Sequence, residues 1–168
     1  MHSALKLIRQ LSKLPIALAS IVLFALMVMT FTDVLLRSAL NAPIEAATEL
    51  TRWFMAIIVF LMLPIISGQE DHIVVDLTDS FFTNKWAVRL RDGIINLACG
   101  AMLVWPARQV VVLAERARSY GDVTEFLALP QFYIEWFIAI MTFLTAAVLV
   151  VRGLIILIAP QLLEPSND

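Results

Sequence analysis

Four long apolar stretches dominate this sequence and restrict it to one kind of fold. A helix needs about 20 mostly apolar residues to cross the hydrocarbon core of a bilayer. The four stretches reach that length at about 15–36, 46–68, 86–114 and 130–159. Because lipid offers no hydrogen-bond partner to a backbone amide, each stretch must be helical. The sequence therefore predicts an all-α integral membrane protein, with four transmembrane helices forming a single domain over residues 1–168.

The composition excludes several classes of function. The chain is 61% hydrophobic and 15% charged, whereas soluble domains have about 45–50% and about 25%. A net charge of −2 provides no basic surface for nucleic acid. One cysteine and two histidines argue against disulfides, a haem and a multi-cysteine metal cluster. Nucleophile elbows, phosphate-binding loops and zinc motifs are absent from the sequence. We therefore expect no enzyme activity, no cofactor and no catalytic or metal-binding residue.

The distribution of positive charge indicates the orientation. An even number of spans puts both termini on one side, and the first span is too long for a cleaved signal core of about 7–15 residues. Seven basic residues lie on the terminal side: Lys6, Arg9, Lys13, Lys85, Arg89, Arg91 and Arg152. Five lie on the other: Arg37, Arg52, Arg108, Arg116 and Arg118. The excess predicts cytoplasmic termini in a multi-pass protein.

The segment between the second and third spans has an amphipathic pattern. One face carries polar residues at helical spacing: His72, Asp76, Asp79 and Thr83. The other face carries Ile73, Leu77 and Phe81. This pattern predicts a short helix over about 72–83 that lies in the membrane interface. A metal site around His72 is the alternative, and a solvated polar face is the better interpretation.

The third span carries a stripe of small and polar residues. Gly93, Asn96 and Gly100 fall on one helix face, which predicts close packing against another helix, with Asn96 hydrogen-bonding across the contact. A continuous helix from Lys85 to Arg118 would be roughly 50 Å long. It must then tilt, bend at its internal proline, or project from the bilayer.

Charged residues near the span ends have two readings. The first reading is that they form local helix pairs, for which their spacing is suitable. These residues are Asp33 with Arg37 at the end of span one, and Glu45, Glu49 and Arg52 at the start of span two. A substrate or ion role is the alternative, because charge close to lipid is costly. Towards the ends of the last span, we expect Glu135 to contact a neighbouring helix or the interface and Arg152 to snorkel towards water.

Several motifs, in order, resemble the small membrane subunit of tripartite ATP-independent periplasmic (TRAP) transporters. The resemblance lies in an Arg after the first span, an Asn-x-Pro turn, a Glu-x-x-Arg opening the second span, and a His-Ile-x-Val-Asp segment. The matching residues are Arg37, Asn41, Pro43, Glu49, Arg52, His72 and Asp76, with Leu127, Pro130 and Gln131 before the last span. The chain departs from the family pattern at Ala46 and Thr48, and in the acidic turn 68–71.

The resemblance implies a non-catalytic subunit in the bacterial inner membrane. Its partners would be a large multi-span membrane subunit, a periplasmic binding protein and membrane lipids. The large subunit would hold the substrate and sodium sites, and the binding protein would capture an organic acid. Six residues would set helix-end geometry and subunit contacts: Arg37, Asn41, Glu49, Arg52, His72 and Asp76. Two alternatives remain open: a self-sufficient proton-coupled exporter using Glu135 or Asp33, and an accessory subunit of an unrelated membrane complex.

Overall fold

A computed structural model describes residues 13–68 and 85–158. Four helices make up nearly all of this part: α1 (Lys13–Leu40), α2 (Ala47–Gly68), α3 (Lys85–Tyr120) and α4 (Phe132–Ile158). Each is long and apolar enough to cross a membrane, which confirms the four predicted transmembrane helices. The predicted interfacial helix at 72–83 falls outside the described residues.

The four helices lie side by side in a row. Helix α2 packs against α1 on one side and α4 on the other, and α3 packs against α4 alone. Within the described residues no contact joins α1 to α3 or α4. A closed four-helix bundle surrounds one central core, whereas this row leaves both of its broad faces uncovered. The side chains buried within it are consequently few, and most of them are small.

The tightest contact in the row joins α3 to α4 through small residues. On α3 these recur every seven residues, at Gly93, Gly100, Ala107 and Ala114, and on α4 they recur at Ala139, Ala146 and Gly153. A methyl group added at Gly153 would lie 3.1 Å from the carbonyl oxygen of Gly93. A seven-residue repeat keeps the same face of each helix against its neighbour over several turns.

Helix α3 is continuous through Pro106. Its 36 residues span about 54 Å, well over the roughly 30 Å of a hydrocarbon core. The excess requires a tilted or curved helix, or one that projects from the bilayer.

The two ends of the row are named by what lies there. The loop end carries the 41–46 turn and the 121–131 loop. The terminal end is the opposite one, where α1 begins and α4 ends.

Candidate interaction site at the loop end

The turn after α1 is built on a left-handed residue. Asn41 has φ 51°, a conformation that asparagine tolerates better than most residues. The amide of Ala42 then donates to the carbonyl oxygen of Leu36 at 3.3 Å. Reversal at this point ends α1 and directs the chain into α2 after six residues.

Asp33 fastens this turn to α1. Its Oδ1 accepts a hydrogen bond from the backbone amide of Ile44 at 2.8 Å, and its Oδ2 accepts one from Nη2 of Arg37 at 3.1 Å. The side chain is buried, although the Arg37 guanidinium that faces it is largely exposed. The local pair with Arg37 has the predicted spacing, but the bond to Ile44 adds a structural role for Asp33 that the sequence pattern did not indicate.

Glu49 joins α2 to the loop between α3 and α4. Its Oε1 accepts from the amide of Phe126 at 2.9 Å, and its Oε2 accepts from the amide of Leu127 at 3.2 Å. Thr124 and Glu125 of the same loop lie beside this carboxylate. The predicted local helix pair is therefore wrong for Glu49. A tight loop offers the carboxylate several fixed donors, which satisfy it better than one flexible, solvated arginine.

The loop that Glu49 holds is itself well folded. Gly121 and Ala128 take positive φ values of 70° and 50°, which reverse the chain within a few residues. Thr124 and Leu129 bond twice: the Thr124 amide donates to the Leu129 carbonyl at 3.0 Å, and the Leu129 amide donates to the Thr124 hydroxyl at 3.1 Å. Phe126 at the tip remains 54% exposed. The loop thus presents an apolar side chain from a rigid base.

Arg52 has a different environment from Glu49. It is exposed and makes no hydrogen bond or ion pair with any residue in the described part of the chain. It lines an open cleft between α1 and α2. His72 and Asp76, the other two residues singled out on this chain by resemblance, lie outside the described residues.

At the terminal end, Arg152 joins α4 to α2. Its Nη1 donates to the carbonyl oxygen of Ser67 at 3.2 Å, close to the end of α2. Ser67 is buried and Arg152 is partly buried. Instead of only snorkelling towards water, this arginine satisfies a carbonyl oxygen in the last turn of a helix, where no intrahelical donor remains.

The predicted packing stripe on α3 faces α4. Gly93 and Gly100 are buried, and a methyl group added at either one would meet Leu157 or Val150 at less than 3 Å. Asn96 differs from the prediction: its Nδ2 donates to the carbonyl oxygen of Asp92 at 2.9 Å, within its own helix. A bond to the carbonyl oxygen one turn back is an arrangement that short polar side chains commonly adopt within a helix.

Two further observations concern chemistry. One carboxylate oxygen of Glu135 is buried and has no hydrogen-bond partner among the described residues. Within the same residues no three side chains of the metal-binding types come together. At the loop end, the carboxylates of Asp33 and Glu49 instead fix backbone segments relative to one another. Such bonds make the loop end a structured surface that a partner could contact.

Comparison with known proteins decides the family. The sequence matches the DctQ component of tripartite ATP-independent periplasmic transporters over residues 26–156, more than three quarters of the chain. This chain belongs to the DctQ family. DctQ is the small membrane component of TRAP transporters and is a transporter component family, not an enzyme family. Comparison with curated proteins and with solved structures finds no match.

The DctQ match includes every hydrogen bond described above. Asp33, Glu49, the 121–131 loop and Arg152 all lie inside it. Sequence reasoning missed the roles of Asp33 and of the Thr124 hydroxyl, since both accept from backbone amides, which carry no residue-type signal. It also missed Ala107 and Ala114, although their seven-residue spacing from Gly93 and Gly100 is readable from the sequence.

Proposed function

We propose that this DctQ protein is the non-catalytic scaffold of a TRAP transporter in the bacterial inner membrane. It braces the large membrane subunit, which carries out sodium-coupled uptake of an organic acid delivered by a periplasmic binding protein. The observation that carries the proposal is the open row of helices, whose two broad faces are free for a second membrane protein.

The side chains on α1 support a scaffolding role. Phe24 and Phe31 are 64% and 65% exposed, and Ile21 is 64% exposed. Lipid is as apolar as these side chains, so association in a bilayer depends on shape and close packing instead of on burial of apolar area. A row of helices with ridges on both faces offers this shape to a larger multi-span partner.

The loop end supports contact with a soluble partner. The positive-charge distribution favours cytoplasmic termini, and this orientation directs the 41–46 turn and the 121–131 loop outwards. Asp33 and Glu49 fix both segments through backbone hydrogen bonds. A surface that is rigid before binding loses less conformational entropy when a partner docks. The loop end is therefore the part of this chain that we assign to the binding protein.

Reconstitution into proteoliposomes tests the proposed function. With an inward sodium gradient, the large subunit, this chain and the binding protein together should accumulate a labelled carboxylate. Omitting any one of the three, or collapsing the sodium gradient, should abolish accumulation. Undiminished sodium-driven uptake in vesicles that lack this chain would contradict the scaffold role.

The alternative is a self-sufficient proton-coupled exporter. The observation that favours it is the buried oxygen of Glu135, which has no hydrogen-bond partner among the described residues. Substitution of Glu135 therefore distinguishes the two functions. In the complete system Glu135→Gln should leave uptake within about twofold of wild type, because glutamine keeps the size of the side chain and its buried oxygen has no hydrogen bond among the described residues to lose. A proton carrier could not work as glutamine. Transport by the purified chain alone, abolished by Glu135→Gln, would establish the exporter instead.

A further inference from the structure

An open cleft of about 290 Å³ lies between α1 and α2. It is lined by the first two turns of α2 and by residues of α1 that lie about two to three turns before the end of that helix. Residues from both helices line it, among them Met29, Thr30, Asp33, Thr48, Thr51 and Arg52. Arg52 lies five residues after the start of α2, about 7–8 Å along its axis. This depth corresponds to the boundary between headgroups and acyl chains, where arginine extends its guanidinium towards water.

The two polar side chains of this cleft that lack a partner among the described residues can both donate hydrogen bonds. Asp33 is buried, and its two oxygens already accept hydrogen bonds from Ile44 and Arg37. Thr30 and Thr51 donate to carbonyl oxygens of their own helices. Arg52 and the hydroxyl of Thr48 have no hydrogen-bond partner within the part of the chain that the structure describes. An anionic, multi-oxygen group fits these two free donors.

An apolar track continues from the cleft towards the middle of the membrane. On α2, Met55 and Val59 follow Thr48 and Arg52 at helical spacing on the same face, and they are 55% and 53% exposed. On α1, Met27, which is 58% exposed, lies one turn before Thr30 on the neighbouring face. A free anion would make no contact with these apolar side chains, whereas an acyl chain attached to the anion would pack along them.

We propose that this cleft is a phospholipid-binding site. The guanidinium of Arg52 and the hydroxyl of Thr48 hold the phosphate, and one acyl chain runs between α1 and α2 against Met27, Met55 and Val59. The site is separate from the contacts that Glu49 makes with the 121–131 loop. It gives Arg52 a ligand between α1 and α2.

Photolabelling in membranes that contain the assembled transporter tests the site. Phosphatidylglycerol with a diazirine in its acyl chain should label peptides that contain Met27, Met55 and Val59 in preference to other exposed faces. Arg52→Gln should lower this labelling about tenfold, the effect of losing a charge-assisted hydrogen bond. Arg118→Gln is the matched control: this arginine is exposed near the same end but lies outside the cleft, and labelling should not change.

Other outcomes would overturn the proposal. Labelling that is spread evenly over all exposed helix faces and is insensitive to Arg52→Gln would indicate bulk lipid. Loss of labelling on adding inorganic phosphate would indicate a free-anion site. A benzophenone amino acid at position 55 provides an independent measurement: a lipid adduct is expected, and an adduct with a second polypeptide would show that a protein covers the cleft.

Discussion

Replacing Glu49 with alanine should release the 121–131 loop and abolish uptake by the assembled transporter. The carboxylate accepts hydrogen bonds from the amides of Phe126 and Leu127, at 2.9 and 3.2 Å, across 77 and 78 residues of sequence. Without it these amides lose their acceptor, so the rigid surface at the loop end is lost. Hydrogen exchange measures this directly: protection of the two amides should fall about tenfold or more.

Two variants make the Glu49 experiment specific. Glu49→Gln keeps one acceptor oxygen and loses the charge, so its exchange rates should lie between those of wild type and Glu49→Ala. Glu45→Ala removes an exposed carboxylate one turn earlier and should change neither exchange nor uptake. Unchanged protection of Phe126 and Leu127 in Glu49→Ala would mean that the loop holds its shape without α2.

Replacing Gly153 with alanine should destabilise the protein by about 1–3 kcal/mol through overpacking. Its added methyl group would lie 3.1 Å from both the Gly93 carbonyl oxygen and the Leu97 amide nitrogen. These are backbone atoms of a packed helix and cannot move aside as a flexible side chain does. Thermal unfolding of the purified protein in mild detergent should show a lower midpoint, with reduced assembly as a consequence.

Gly68→Ala is the matched control for Gly153→Ala. A methyl group there would meet only a side-chain carbon of Val148, at an ordinary 3.7 Å. Inside a helix, the change from glycine to alanine contributes up to about 1 kcal/mol of stability. Because Gly68 is the last residue of α2, the gain is smaller there, and this variant should unfold at the same temperature or slightly higher. If both variants gained stability equally, α3 and α4 would not be in close contact at Gly153.

The transmembrane helices were predictable because the constraint that produces them is local. About 20 apolar residues in succession have no other stable state in lipid than a helix. The pair of Asp33 with Arg37 was predictable for the same reason, since i, i+4 spacing places two side chains on one face. The stripe of Gly93 and Gly100 was readable too, although its partner helix was not, because a small residue marks a close approach without specifying the neighbour.

The long-range contacts were not predictable from one sequence. Glu49 has a plausible partner three residues later in Arg52, yet it bonds to backbone amides of a distant loop, and a backbone donor has no residue-type signal. The same holds for Arg152, whose acceptor is the carbonyl oxygen of Ser67. The order of the helices in the row follows from such pairwise contacts. Hydropathy is evaluated one helix at a time, so it cannot predict this order.

Affinity purification of this chain from its native membrane tests the scaffold account most directly. The tagged chain, extracted in mild detergent, should bring down a large multi-span membrane subunit in equimolar amount. The complex should survive Glu45→Ala and be weakened by Gly153→Ala. Recovery of the chain alone, or as an assembly of copies of itself, would contradict the account.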